Sequence, residues 1–255
     1  MKVAIVGDLH GHINLMYSKL LGLNIDLILQ LGDFLPCRDE GDLPFVPVPT
    51  KYRKVGDFPD YFTGKRKAFI PTFFIYGNHE PFNFIGEFSK VAENIWCLGA
   101  YGIKSISELV SIAGIKNINI TNDITVAWLS GVYSERYFES PALESVDEHN
   151  KRQASYIRAE SVYELAAQLE KRNADILLMH QPTAEFEAYL IANNGLREKD
   201  VNFLMGDILL EQSRSIKNVY TGHTHVYAET QIGNTTHTAL ADIQSAQTCY
   251  TILEV

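Results

Sequence analysis

Five short apolar runs in this chain each end at a turn that delivers a side chain able to bind a metal. Residues 2–6 run into Gly7-Asp8-Leu9-His10-Gly11, 26–31 into Gly32-Asp33, and 70–76 into Gly77-Asn78-His79-Glu80. Residues 175–179 run into His180, and 216–220 into Gly222-His223-Thr224-His225. A short apolar run bounded by turn formers is the pattern of a strand buried on both faces. In open α/β sheets, ligand sites form outside the carboxyl ends of such strands. Glycine at that point lets the backbone turn sharply and approach a ligand closely. Six of the eight histidines (His10, His12, His79, His180, His223 and His225) fall in or beside these segments, a distribution that folding alone does not require.

Between these runs the spacing predicts helices over 13–21, 82–91 and 156–171, and further strands over 95–98, 109–113 and 125–129. The last stretch, 226–255, alternates like antiparallel strands closing the fold. With no internal repeat, low-complexity tract or linker, a single domain over 1–255 is expected. The stretch 36–68 interrupts the pattern. It is rich in proline (Pro36, Pro44, Pro47, Pro49, Pro59) and too long for a plain connection, so it is expected to form a loop or cap near the site.

Composition narrows the class. Apolar residues at 46% and charged residues at 21% are ordinary for a soluble globular protein. The net charge of −9 excludes polyanion binding through the whole surface but leaves room for a local basic groove. Cys37, Cys97 and Cys249 are odd in number and show no metal-type spacing, which predicts buried free thiols in a reducing compartment. No apolar run approaches a membrane span, and the chain enters its first strand directly, so no signal peptide is expected. The expected setting is cytoplasmic, with no membrane association and no obligatory protein partner.

Phosphoester chemistry on a divalent ion needs hard oxygen ligands and neutral imidazoles. Asp8 with His10, and His223 with His225, are each two residues apart and can aim at one point from a turn. Taken alone, a histidine is ordinarily a core or surface residue. Two such pairs with Asp33, Asn78 and His180 at other strand ends are not explained that way.

The insert adds a second signal. Between residues 51 and 67 lie Lys51, Arg53, Lys54, Lys65, Arg66 and Lys67 against Asp57 and Asp60, with Tyr52, Phe58, Tyr61 and Phe62 interleaved. Aromatics among cations can stack bases while the cations hold phosphates; the plainer reading is a solvated loop whose aromatics pack on the core. His12, Lys51, Arg53, Lys65, Arg66 and Lys67 are therefore the substrate-binding candidates. His149, in a charged stretch, is expected to be solvated, and His237 to be structural or exposed.

The order Asp-x-His, Gly-Asp, Gly-Asn-His-Glu, lone His, Gly-His-x-His resembles the calcineurin-like metallophosphoesterase superfamily along the whole chain. The resemblance implies an α+β fold, a four-layer α/β/β/α sandwich of two facing mixed sheets flanked by helices. It implies two divalent metal ions. Asp8, His10, Asp33 and His225 would hold the first, and Asp33, Asn78, His180 and His223 the second, with Asp33 as the bridge. His79 would be the unligated histidine that assists the leaving oxygen, beside Asn78 and Asp33 in the catalytic set. Imidazole mixed with carboxylate suits Mn2+, Fe2+ or Zn2+, manganese being favoured. A bridging water of lowered pKa would attack phosphorus as hydroxide.

A narrower resemblance joins the chain to RNA lariat debranching enzymes, which hydrolyse the 2′,5′-phosphodiester at an RNA branch. It rests on Val48-Pro49-Thr50-Lys51-Tyr52-Arg53, Tyr61-Phe62-Thr63-Gly64, Phe74-Ile75-Tyr76-Gly77-Asn78-His79-Glu80 and Leu129-Ser130-Gly131-Val132-Tyr133. Four positions bear on it. Asp8 stands where those enzymes typically have Cys, which implies two filled metal positions. Gln181-Pro182 replaces their Asp-Trp-Pro. The chain stops near the last core strand, where they continue into a further domain. Pro36 occupies the position of a second Asp in the wider superfamily, which fits the debranching type and disfavours a protein serine/threonine phosphatase. The expected function is a metal-dependent phosphodiesterase whose partner is a nucleic-acid or nucleotide substrate. The alternatives are a small-molecule phosphomonoesterase or nucleotidase, and a non-catalytic scaffold of the same fold.

Overall fold

Along the first strand Val3 and Ile5 point one way and Ala4 and Val6 the other, and both sets are buried. A strand buried on both faces must be covered by a layer on each side, which dictates the architecture. The computed structural model describes residues 1–196 and 203–255. One sheet contains β1 (Lys2–Val6), β2 (Leu27–Gln30), β3 (Thr72–Phe74), β4 (Ser89–Ala92), β5 (Ile95–Cys97) and the last strand, β12 (Tyr250–Glu254), in the order β12-β1-β2-β3-β5-β4. Its centre is parallel and its two edge strands are antiparallel. The other contains β6 (Tyr101–Ser105), β7 (Thr125–Leu129), β8 (Ile176–Met179), β9 (Asn218–Thr221), β10 (Ala228–Ile232) and β11 (Thr235–Ala239), in the order β10-β11-β9-β8-β7-β6. Here too a parallel centre is flanked by antiparallel edges.

The sheets face one another across a shared core. Val3, Ile5, Leu27, Leu29 and Phe73 of the first sheet meet Val126, Trp128, Ile176, Leu178 and Tyr220 of the second. Full burial of such a side chain contributes about 1.5–3 kcal/mol, so this layer is the main adhesive between the sheets. On the outer face of the first sheet, Ala4, Val6, Ile28 and Phe74 pack against α1 (Ile13–Leu20) and α2 (Phe58–Phe62). On the outer face of the second, Ala127, Leu129, Leu177, Met179 and Val219 receive α6 (Ala159–Lys171) and α8 (Leu204–Gln212). Among the described residues the remaining α-helices are α3 (Ile106–Ala113), the four-residue α4 (Glu135–Phe138) and α5 (Lys151–Ala154), and α7 (Ala184–Asn194). The layers are therefore helix, sheet, sheet, helix, as the resemblance implies.

Two expectations fail. The predicted helix over 82–91 is a single turn followed by β4. Phe82 and Ile85 are buried at helical spacing, but Pro81 and Gly86 bracket the turn and the chain continues as an edge strand. The predicted strand over 109–113 is the second half of α3. Ser105 and Glu108 form a reciprocal capping box at its start, and Gly114, at φ 69°, closes it. Local capping outweighs the β preference of a short Leu-Val-Ser-Ile run. The chain end is also mixed: β11 pairs antiparallel with β10 but parallel with β9.

Candidate metal centre

β1, β2, β3, β8 and β9 all point their carboxyl ends at one edge of the sandwich, and the five turns that follow them meet there. The turns interlock through the backbone. Leu9 and His10 donate to the Asp33 carbonyl at 3.2 and 2.7 Å, and Gly222 donates to the His180 carbonyl at 3.1 Å. The glycines make this crowding feasible. A Cβ on Gly77 would collide with Asp33 Oδ1, and one on Gly222 with Asp8 Oδ1. His10, Asp33, His223 and His225 all adopt left-handed backbone, with φ of 47°, 53°, 65° and 58°. For a residue with a Cβ that conformation costs about 1–3 kcal/mol and marks a turn held in place by its surroundings.

Asp8, His10, Asp33 and His225 converge, each offering a ligand atom within 4.8 Å of the others. His10 Nε2 lies 3.0 Å from His225 Nε2, and His225 Nε2 lies 3.1 Å from Asp8 Oδ2. On the other side of Asp33, His180 Nε2 lies 3.5 Å from Asp33 Oδ1 and 3.3 Å from Asn78 Oδ1, while its ring sits 5.0 Å from that of His223. A carbonyl can only accept, so the 2.8 Å contact of His180 Nδ1 with the Leu31 carbonyl puts the proton on Nδ1 and turns the Nε2 lone pair toward Asp33 and Asn78. His79 stands between the groups, with Nδ1 3.3 Å from Asp33 Oδ2 and its backbone N–H donating to Asp33 Oδ1 at 2.8 Å.

The electrostatics suit a cation. Burial penalises the charge of both Asp8 and Asp33, yet the surrounding histidines, His180 foremost, hold both carboxyls below their ordinary range. Asp8 also receives the His223 backbone N–H at 3.1 Å. Burial lowers the His79 pKa against the pull of Asp33, whereas a hydrogen bond to Asp8 raises that of His225. Two buried carboxylates ringed by imidazole nitrogens, hard oxygens among borderline nitrogens, form a donor set that fits a divalent transition ion.

Glu80 was not among the residues expected to act. It is fully buried and accepts from the backbone N–H groups of Phe34 at 2.9 Å, Leu35 at 2.7 Å and Gly77 at 3.2 Å, binding the Asp33 turn to the Asn78 turn. Burial and then the Asp33 charge hold its pKa well above the ordinary range. Its position directly after His79 was the available signal.

Two clefts flank the cluster. One, of about 650 Å³, is lined by Pro47, Pro49, Asn78 and His79 on one side and by Tyr133, Arg136, Arg152 and Tyr156 on the other. The second, of about 310 Å³, is lined by His10, His79, Pro49, Tyr52, Arg53 and Lys54. His79 and Pro49 belong to both.

The expected binding residues divide. Arg53 lines the smaller cleft, and His12, at 2.7 Å from Lys54 Nζ, sits beside it. Lys51 lies exposed over the Tyr52 ring. Lys65 and Arg66 pair with Asp60, and Lys67 with Glu93. Arg66 and Lys67 line a separate groove with Leu21 and Phe69. Tyr133 closes one of the segments similar to debranching enzymes, whereas Arg136 and Tyr156 carried no sequence signal of their own, because the two ends of 133–156 meet only in the folded chain.

The family model for calcineurin-like phosphoesterases matches residues 1–227. The chain belongs to that family. Among curated relatives, lariat debranching enzyme A of Xenopus laevis is 34% identical over 209 residues, covering 78% of this chain and 36% of that protein. The Arabidopsis thaliana lariat debranching enzyme is 31% identical over 210 residues, covering 78% and 46%. The Homo sapiens enzyme is 35% identical over 189 residues, covering 71% and 32%. The chain thus spans less than half the length of these relatives. The fold is shared with a dimetal phosphatase from Danio rerio, at a TM-score of 0.54 and 10% identity over 100% of this chain and 92% of the other. It is also shared with TT1561 of Thermus thermophilus, at a TM-score of 0.51 and 13% identity over 99% and 93%.

Proposed function

We propose that the chain is a metal-dependent phosphodiesterase acting on nucleic acid, with a branched RNA phosphodiester as the favoured substrate. The observation that carries this reading is the pair of clefts on either side of His79 and Pro49. A phosphomonoester needs room for one substituent, whereas a diester needs room for two. Each cleft presents aromatic and cationic side chains, Tyr133, Tyr156, Arg136 and Arg152 in one and Tyr52, Arg53 and Lys54 in the other, which suit stacked bases and phosphates. The curated relatives named lariat debranching enzymes point the same way.

Asp8, His10, Asp33 and His225 would hold one ion and Asp33, Asn78, His180 and His223 a second, manganese being the ion we favour over iron or zinc. When bound, such ions neutralise phosphoryl charge and lower the pKa of a water to make a nucleophile at neutral pH. The other roles fall to the chain itself. Asn78, which lines the larger cleft, would orient a nonbridging oxygen or a ligand water. With His79 Nδ1 turned to Asp33, Nε2 is the atom left to hand a proton to the departing oxygen, a role worth about 10²–10⁴-fold. Lys51, Arg53 and the Lys65-Arg66-Lys67 run would meet phosphates further out, and the 36–68 insert acts as a cap within one domain. The three cysteines are all buried free thiols, which suits a reducing compartment such as the cytoplasm. No helix among the described residues is long and apolar enough to cross a membrane.

A panel of branched RNA, linear RNA, single-stranded DNA, cyclic dinucleotides and phosphomonoesters, each with added manganese, tests the reading. Branched RNA should be cleaved fastest. Preference for phosphomonoesters would overturn the reading in favour of a nucleotidase.

A further inference from the structure

The wall of the larger cleft is built from a segment with little regular structure, and one buried arginine holds it. We propose that Arg158 is the positioning residue of this cleft: its guanidinium clasps both arms of the 133–156 segment and so fixes the side chains that would receive the substrate. The inference rests on the reading of that cleft as a substrate site.

Arg158 is 6% exposed. Its Nη1 donates to the Tyr137 carbonyl at 2.5 Å and its Nη2 to the Gln153 carbonyl at 2.7 Å. The first carbonyl follows Tyr133, Ser134, Glu135 and Arg136, and the second lies between Arg152 and Ser155-Tyr156; all seven side chains line the cleft. Both arms are thus tied to one planar group whose donors have a fixed angle between them, a geometry lysine cannot supply.

The local sequence preference argues against arginine here. Residue 158 is the N-cap of α6, where a side-chain acceptor would satisfy a free helix N–H, and Arg158 makes no such cap. A cation at a helix amino terminus also opposes the helix dipole. Among the described residues no carboxylate lies within 4.0 Å of the guanidinium, so its burial is not offset by an ion pair. Serine or aspartate would serve α6 better. What arginine alone adds is the double clasp.

The rest of the segment is held at its base and along its first arm, where the Tyr133 N–H donates to Gln181 Oε1 at 2.6 Å and Phe138 packs into the core. Val132 donates to the Ser155 carbonyl at 2.9 Å and Ile157 to the Val132 carbonyl at 2.8 Å. The Tyr137 ring stacks on Tyr156 at 5.3 Å. Beyond the clasp, Lys151 donates to the Pro44 carbonyl and so ties the segment to the strap carrying Pro47 and Pro49 on the facing wall. Loosening Arg158 would free both the wall and its link to the cap, while the metal ligands, carried by other turns, would stay in place.

The test compares Arg158→Met and Arg158→Lys with the native chain, using a branched oligoribonucleotide, bis-p-nitrophenyl phosphate and backbone hydrogen exchange. Losing a charged hydrogen-bond pair should raise KM for the oligonucleotide about tenfold or more in Arg158→Met, with kcat changed far less. The small diester, which needs only the metal cluster, should be hydrolysed as before. Arg158→Lys should recover part of the loss. Exchange should quicken within 133–156 and not at β1 or β8. An unchanged KM together with unchanged exchange would overturn the proposal. A parallel loss on both substrates would also overturn it, by showing a general structural role. If the native chain cleaves no oligonucleotide, the proposed function has failed, and the exchange comparison still decides whether Arg158 clasps the segment.

Discussion

Asp33 receives the His79 backbone N–H at 2.8 Å and faces His10, His79 and His180 within 3.8 Å, all from a left-handed backbone with φ 53°. Each candidate donor was legible in the sequence because chemistry restricts the residue types and the strand-end glycines fix their places. The roles of Glu80 and Arg158 were not legible, although Glu80 directly follows His79. Their partners are backbone groups far along the chain, and backbone groups leave no pattern in a sequence. His237 makes a separate prediction. It is 2% exposed, its Nδ1 has no partner among the described residues, and burial pushes its pKa down to about 4 from 6.5. As pH falls through that window the unfolded chain takes up a proton before the native chain does, so native stability is lost. The loss reaches about 3 kcal/mol at the lower end. Urea unfolding at pH 7.0 and 4.5 (roughly the ends of that window) should show a smaller pH-dependent loss in His237→Leu than in the native chain. Equal losses would contradict the burial account.

At the scale of elements, α3 shows how local chemistry decides between helix and strand. The Ser105 N–H donates to Glu108 Oε2 at 2.6 Å and the Glu108 N–H to Ser105 Oγ at 3.3 Å. Residues 109–113 alone read as a strand; the signals that correct this lie outside that window, at Ser105, Glu108 and Gly114. Ser105→Ala should cost about 1 kcal/mol of unfolding free energy, read from a urea midpoint with unchanged slope. The error over 82–91 has the opposite origin, because Phe82 and Ile85 mimic helical spacing inside a single turn anchored to the Pro81 carbonyl. The five parallel strands that carry ligands were recovered because they are buried on both faces, whereas β4, an edge strand with exposed residues, was not.

At the scale of the whole molecule, two sheets meet through one core and present five strand ends at one edge, so the site is a consequence of how the layers stack. The net charge of −9 means any polyanion must be gathered by local cations. If Lys65, Arg66 and Lys67 contact phosphates beyond the clefts, their triple alanine variant should raise KM for a long oligonucleotide and flatten its dependence on salt, with bis-p-nitrophenyl phosphate hydrolysis unchanged. An unaltered salt dependence would confine these residues to their pairs with Asp60 and Glu93. The proposed role of Asp33 as organiser of a metal-dependent hydrolytic site is tested most directly by hydrolysis of bis-p-nitrophenyl phosphate by the native chain and by Asp33→Ala, with manganese and after chelation. The native chain should be active with manganese and inactive after chelation, and with manganese Asp33→Ala should lose at least about 10²–10³-fold. Activity that survives Asp33→Ala, or that ignores the chelator, would contradict that role.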